Sequence, residues 1–165
     1  MIRSSFDTLL SRFGQQGWWP VTPQRGFLPL YHPGKKLTQN TEAEKFEICL
    51  GALLTQNTSW DNVVKALANL KQSGYLHPCR IRAISEKRLS RLIRPSGYYR
   101  QKARRVRGFL SAVQTDARGR FGVFLSGQTA EVRKKLLAIN GIGPETADSM
   151  LLYAQGHPIF VVDAY

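Results

Sequence analysis

Residues 137–147 read Leu137-Ala138-Ile139-Asn140-Gly141-Ile142-Gly143-Pro144-Glu145-Thr146-Ala147. Two glycines flanking one aliphatic residue let the backbone turn sharply and approach a ligand with no Cβ in the way, while Ile142 is placed to anchor the turn in a core. Pro144 suits the first position of a helix, where its missing N–H costs nothing. The free amides of that first turn face outward and form a ready site for phosphate. Upstream, apolar spacing predicts a helix over 130–138 capped by Thr129; downstream, the helix opened by Pro144 runs to Ala154. Residues 131–154 thus read as helix, hairpin and helix, an arrangement able to hold a DNA backbone without reading bases. The same Gly-x-Gly turn serves ordinary helix corners, so its meaning depends on the rest of the chain.

Outward from the hairpin, the sequence is a series of short helices joined by tight turns. Phe6, Leu9, Leu10 and Phe13 share one face of an N-terminal helix that Gly14 and Gly17 end. Thr41 and Glu44 have the form of a capping box. The Phe46, Ile48, Cys49, Leu50, Ala52, Leu53 and Leu54 that follow make a helix apolar almost all round, the mark of a central element. After Thr55-Gln56-Asn57 another helix starts near Thr58 or Ser59, buries Val63, Val64, Leu67 and Leu70, and stops at Ser73-Gly74. Leu89, Leu92 and Ile93 mark a short helix ending before Pro95, and Tyr99, Ala103, Val106, Leu110 and Val113 mark an amphipathic one. Only residues 159–162 resemble a strand, so the fold class is all-α. Between residues 15 and 40, Pro20, Pro23, Pro29 and Pro33 predict ordered turns, and Trp18, Trp19, Phe27 and Tyr31 make them more than a linker. We divide the chain into residues 1–41, an N-terminal helix with an aromatic, proline-rich loop, and residues 42–165, a central helical domain.

Over 165 residues, 24 Lys and Arg against 11 Asp and Glu leave a formal charge of +13, which suits a polyanionic partner, and 42% apolar content argues against disorder. Cys49 and Cys79 make neither a disulfide framework nor a metal-ligand spacing. No charged-then-apolar leader opens the chain, and no apolar run approaches the roughly 18–20 residues that span a bilayer. The expectation is a soluble cytoplasmic monomer with no metal site and no membrane partner.

With that charge, the hairpin resembles that of the helix-hairpin-helix (HhH-GPD) DNA glycosylases of the endonuclease III superfamily. In that family a stretch containing Gly and Pro and then an aspartate follow the hairpin, matched here by Gly156-His157-Pro158-Ile159-Phe160-Val161-Val162-Asp163. The resemblance spans residues 46–165 and is nearest the monofunctional, 3-methyladenine DNA glycosylase III-like branch. It implies a barrel-like central helical domain, double-stranded DNA containing a damaged base as partner, and base excision repair as the activity. It assigns DNA-backbone contact to Gly141, Ile142, Gly143, Glu145 and Thr146, and the catalytic carboxylate to Asp163.

Breaking an N-glycosidic bond develops oxocarbenium-like charge on the sugar, which a fixed carboxylate beside C1′ stabilises. The apolar run before Asp163 is expected to hold that residue rigidly near the hairpin, and capping a following helix is compatible with this role. Bifunctional relatives place a lysine after the hairpin glycines to form a Schiff base; this chain has Glu145 there. That implies base release without strand cleavage, unless an amine such as Lys102 arrives from elsewhere. Gln56 matches the family's intercalating glutamine and Tyr98 a wedge position opposite, although Gln56 also reads as a plain polar turn.

Trp18, Trp19 and Phe46 are candidates to sandwich the electron-poor ring of an alkylated purine, and equally for structural packing. Arg100, Arg104 and Arg107 form a stripe, with Lys102 and Arg105 nearby, and Arg133 and Lys134 lead into the hairpin. They compose a basic face for phosphates or, on the plainer reading, a solvated surface. The chain ends two residues after Asp163, where the family continues with helices of an outer lobe and, in many members, four cysteines around an iron-sulfur cluster. The sequence therefore reads as truncated, with an incomplete outer lobe, no cofactor of its own and room for a [4Fe-4S] cluster only in a C-terminal segment beyond Tyr165. A non-catalytic DNA-binding fragment is the alternative, and an RNA-binding protein has only the charge in its favour.

Overall fold

The computed structural model describes residues 2–163; Ala164 and Tyr165, with which the central domain drawn above ends, lie outside the described residues. The helices are α1 (Ile2–Phe13), α2 (Glu42–Thr55), α3 (Trp60–Gln72), α4 (Pro78–Ala83), α5 (Glu86–Leu92), α6 (Tyr99–Ala117), α7 (Phe121–Phe124), α8 (Thr129–Leu137) and α9 (Pro144–Ser149). A π-helical turn, Met150–Gln155, continues α9, and 3-10 turns lie at Leu37–Gln39 and Arg94–Ser96. An isolated bridge between Val21 and Leu30 is the β-pairing found among the described residues. The fold is all-α.

The central place of α2 follows from its sequence. Its residues from Phe46 to Leu54 are buried, and the helix packs against α3, α6, α7, α9 and the π-helical turn. Burying large side chains such as Leu50, Leu53 and Leu67 contributes about 1.5–3 kcal/mol each. The capping box forms in full: the Thr41 hydroxyl accepts from the Glu44 amide, and the Glu44 carboxylate accepts from the Thr41 amide at 2.7 Å. Glu42 in the same turn accepts from the amides of Phe121 and Gly122, which fixes the start of α7.

The aromatic loop joins this core. Trp19 and Val21 are buried, and Thr22 donates to Glu47 from its amide at 2.8 Å and its hydroxyl at 2.6 Å. The Trp19 indole lies where a Cβ on Gly51 would stand, with Nε1 2.8 Å from that point, so α2 needs a glycine there. Asn40 donates to the Tyr153 carbonyl at 2.8 Å, tying the loop to the end of the π-helical turn.

Several expectations are corrected. Residues 159–162 form no strand, because no partner strand runs beside them; Phe160 is 79% exposed and Val162 is also exposed. That stretch is instead anchored at its start by His157, which contacts the Thr129 hydroxyl through Nδ1 at 3.0 Å and the Leu125 carbonyl through Nε2 at 2.7 Å. Thr129 is thus the first residue of α8, and Gln128 occupies the cap position. The helix after Pro144 is α-helical to Ser149 and π-helical beyond. Helices α4 and α7, of 6 and 4 residues, are too short to show a 3.6-residue period in sequence. The apolar face of α1 forms, but Phe6, Leu9, Leu10 and Phe13 stay exposed.

Candidate functional site

The hairpin is built by opposite requirements at its two glycines. Gly141 has φ +88°, and the Arg105 side chain fills the space of a Cβ, its Cγ, Cδ and Nε each 2.5 Å from that point. Gly143, at φ −91°, is exposed, and a Cβ there would meet nothing within 4 Å. Nothing inside the protein requires a glycine at 143; an approaching ligand backbone would. Ile142 is buried between them, and its amide donates to Ile139 at 3.1 Å to close the turn. No side chain caps α9, so the amides of its first turn are left for an external acceptor.

In front of the hairpin lies a cleft of about 570 Å³, bounded by residues 55–58, Arg105, residues 141–146 and Asp163. The fold therefore brings Gln56, Gly141, Gly143, Glu145, Thr146 and Asp163 into one site from segments far apart in sequence. Gln56 does not project freely. Its Nε2 donates to the Gly141 carbonyl at 2.9 Å and to the Thr146 hydroxyl at 3.0 Å, and its Oε1 accepts from Arg105. Arg105 thus binds both the hairpin and the glutamine, a role its place in a basic helix did not reveal.

Asp163 lines the cleft on an exposed segment. The preceding apolar run does not hold it by burial, since Phe160 and Val162 face solvent; this corrects the expected anchoring. Glu145 shares the site: partial desolvation and the nearby charge of Asp163 both push its carboxyl pKa upward.

Tyr98 is exposed just ahead of α6, in a left-handed conformation with φ +44°. Lys102 is 1% exposed, its Nζ donating to the Leu54 carbonyl at 2.8 Å and the Ser96 carbonyl at 2.5 Å. Burial, and secondarily Arg105, lowers its pKa to about 8. Held in this way, it is not among the residues that line the cleft.

The aromatic candidates separate. Phe46 is 2% exposed and packs on Phe121, with ring centroids 5.5 Å apart, so it cannot join the tryptophans; its helix is apolar on every face, and sequence does not say which neighbour each face meets. Trp18 and Trp19 instead meet Trp60, with centroids 5.3 and 5.4 Å away, and Trp18 also meets Tyr31 at 5.7 Å. Sequence reasoning missed Trp60. Its signal was position, at the first turn of α3 and directly after the loop that carries Gln56.

The basic face also divides. Arg100, Arg104 and Lys134 are exposed, with no side-chain hydrogen bond or ion pair among the described residues. Arg107 donates to the Ile84 carbonyl at 2.7 Å, and Arg133 forks onto the buried Asp148 at 2.7 and 3.1 Å. These two are half-buried and engaged in ties within the protein, unlike the three exposed cations. Cys49 is fully buried in α2, where burial pushes its thiol pKa upward, and Cys79 is exposed on α4. Among the described residues no three or more His, Cys, Asp or Glu side chains gather as metal ligands, so these residues do not fit an iron-sulfur cluster. No helix among the described residues is long and apolar enough to cross a membrane.

A family model described as HhH-GPD superfamily base excision DNA repair protein matches residues 50–165. A protein of Methanocaldococcus jannaschii, provisionally named a DNA repair glycosylase, is 37% identical over 166 aligned residues, which cover 100% of this chain and 66% of that protein. Endonuclease III of Thermotoga maritima is 28% identical over 75% of this chain and 54% of its own length. Among solved structures, the Helicobacter pylori 3-methyladenine DNA glycosylase MagIII bound to 1,N6-ethenoadenine superposes with a TM-score of 0.72 at 30% identity, covering 98% of this chain and 67% of that one. A non-covalent endonuclease III–DNA complex shares the fold, with a TM-score of 0.68 at 22% identity over 99% of this chain and 63% of that one. The chain spans just under two thirds of the M. jannaschii relative and about half of the T. maritima one.

Proposed function

The chain belongs to the HhH-GPD superfamily of base excision DNA repair proteins, and from that premise we propose that it is a monofunctional DNA glycosylase acting on damaged bases, alkylated purines first among them. The observation that carries the reading is the meeting of Asp163 with the hairpin and Gln56 around one cleft. The free amides of α9 and the open face of Gly143 would hold a phosphate, and Arg100, Arg104 and Lys134 would neutralise others. The target base leaves the stack, and Gln56 and Tyr98 enter the space it vacates.

The reaction consumes one water. The bond between C1′ and the base nitrogen breaks, the electron pair leaves with the base, and water adds to C1′ with loss of its proton. Asp163 stabilises the positive charge that develops on the sugar and orients that water. A purine nucleotide methylated at a ring nitrogen, as in 3-methyladenine, carries positive charge, which makes the base a good leaving group, and the Trp18–Trp60 aromatic faces suit such a ring. Glu145 stands where a bifunctional relative has its lysine and cannot form an imine, and Lys102 is held in the core.

The test is a panel of duplexes carrying 3-methyladenine, 1,N6-ethenoadenine, a deaminated base or a mismatch, incubated with the chain and treated with alkali. Alkali-labile sites at the positions of the alkylated purines, with no complex trapped by borohydride, are the expected result. A trapped complex would overturn the monofunctional assignment. DNA binding with no base release from any duplex would leave a binding module without catalysis.

A further inference from the structure

A lysine with no carboxylate partner is costly to bury, so Lys102 in the core demands an explanation beyond packing. Its ammonium bridges two carbonyls that belong to different elements. Leu54 lies in the last turn of α2, whose carbonyls lack helical partners, and Ser96 ends the 3-10 turn ahead of α6. Each of these residues stands two positions before one of the side chains assigned above to enter DNA: Gln56 follows Leu54, and Tyr98 follows Ser96.

Both loops are also conformationally strained just there. Asn57 has φ +52° and Tyr98 φ +44°, the left-handed region that L side chains rarely adopt, a bulky tyrosine least readily, and that persists where the surroundings impose it. The α6 helix supplies that imposition three times over. Lys102 holds both loop backbones, its own amide donates to the Tyr98 carbonyl at 3.0 Å, and Arg105, one turn on, holds the Gln56 side chain.

We propose that Lys102 is the positioning residue that fixes the spacing between Gln56 and Tyr98, so that the two loops enter DNA as one rigid pair. This rests on the glycosylase reading, in which those two residues insert. A single cation suits the task because it draws two carbonyls of different direction to one point, whereas an apolar side chain of equal length would fill the space and leave both carbonyls unpaired.

The test measures the affinity of the full chain for a duplex carrying a tetrahydrofuran abasic-site analogue, relative to the same duplex undamaged. Gln56→Ala and Tyr98→Ala should each lower this ratio at least fivefold, and the double variant should be little worse than the worse single, since each alone breaks the pair. Lys102→Met, folded as judged by its circular dichroism, should lower the ratio at least tenfold and make the two alanine effects independent; Lys102→Arg should restore part of the ratio. Should Lys102→Met fail to fold, the cycle in the unaltered background decides, and additive effects of the two alanine substitutions there would overturn the proposal. A folded Lys102→Met protein with an unchanged ratio would overturn the proposal alone. No effect from either Gln56→Ala or Tyr98→Ala would overturn the insertion reading, and the proposal with it.

Discussion

The side-chain amide of Gln56 donates to the Gly141 carbonyl at 2.9 Å across 85 residues of sequence. The loop after α2 and the tip of the hairpin therefore form one surface, and Arg105 closes it by covering Gly141 and bonding to the same glutamine. The proposed entry of Gln56 into a duplex requires it to exchange these partners for bases, since in this structure its side chain is bound to the hairpin and Arg105.

The two hairpin glycines should respond differently to alanine. Gly141→Ala forces an L side chain to φ +88° and into Arg105, and should lower the unfolding free energy by about 1–3 kcal/mol. Gly143→Ala meets open space and should change stability by less than about 1 kcal/mol, yet weaken duplex binding tenfold or more, because the added methyl would stand in the path of the proposed DNA backbone contact. Urea unfolding and a fluorescence anisotropy titration on both variants check this. Undiminished binding by Gly143→Ala would remove the hairpin from the interface.

Charge alone does not sort the arginines, and their partners do. Arg133→Ala leaves the buried Asp148 carboxylate without its fork and should lower the unfolding midpoint measurably. Arg104→Ala and Lys134→Ala should leave stability within about 0.5 kcal/mol and reduce the slope of log affinity against log salt by about 1 each. Salt titrations beside denaturation curves separate the two classes.

Glu47 makes the attachment of the aromatic loop sensitive to pH. Burial raises its carboxyl pKa above the ordinary 4.5, against the lowering effect of the Thr22 hydroxyl and amide and of Lys71. A carboxyl raised on folding stabilises the protein fully below its unfolded pKa and loses that contribution as pH rises through the folded value. Glu47→Gln keeps an oxygen for both Thr22 donors and carries no charge, so its stability relative to the unsubstituted chain should rise between pH 4 and 7. Glu47→Ala leaves the Thr22 amide without its partner and should cost about 1–3 kcal/mol throughout. Unfolding midpoints at the two pH values check the sign, and a relative fall for Glu47→Gln would refute it.

Features coded by neighbouring residues were legible in sequence, and features coded across the fold were not. The Thr41–Glu44 capping box, the opening of α9 at Pro144 and the turn at 141–143 are each determined within a few residues. Phe46 reads equally as a pocket wall and as packing in sequence, because a helix apolar on every face does not disclose which face meets Trp19 and which meets Phe121. Arg133 looked free because Asp148 lies 15 residues away, on the other arm of the hairpin. Residues 159–162 carry strand-forming side chains, but a strand needs a neighbour, and composition does not supply one. Trp60 was overlooked because a lone aromatic at a helix start has no periodicity to mark it.

In the proposed function Asp163 performs the chemistry while the hairpin holds the DNA. The most direct test of this assignment compares initial rates of alkali-revealed base release from an alkylated-purine duplex by the chain and by Asp163→Asn, at enzyme concentrations that saturate the DNA. Asp163→Asn should lose about 100-fold or more in rate, the scale of a removed electrostatic stabiliser, with binding retained. Release at an undiminished rate from Asp163→Asn would contradict it.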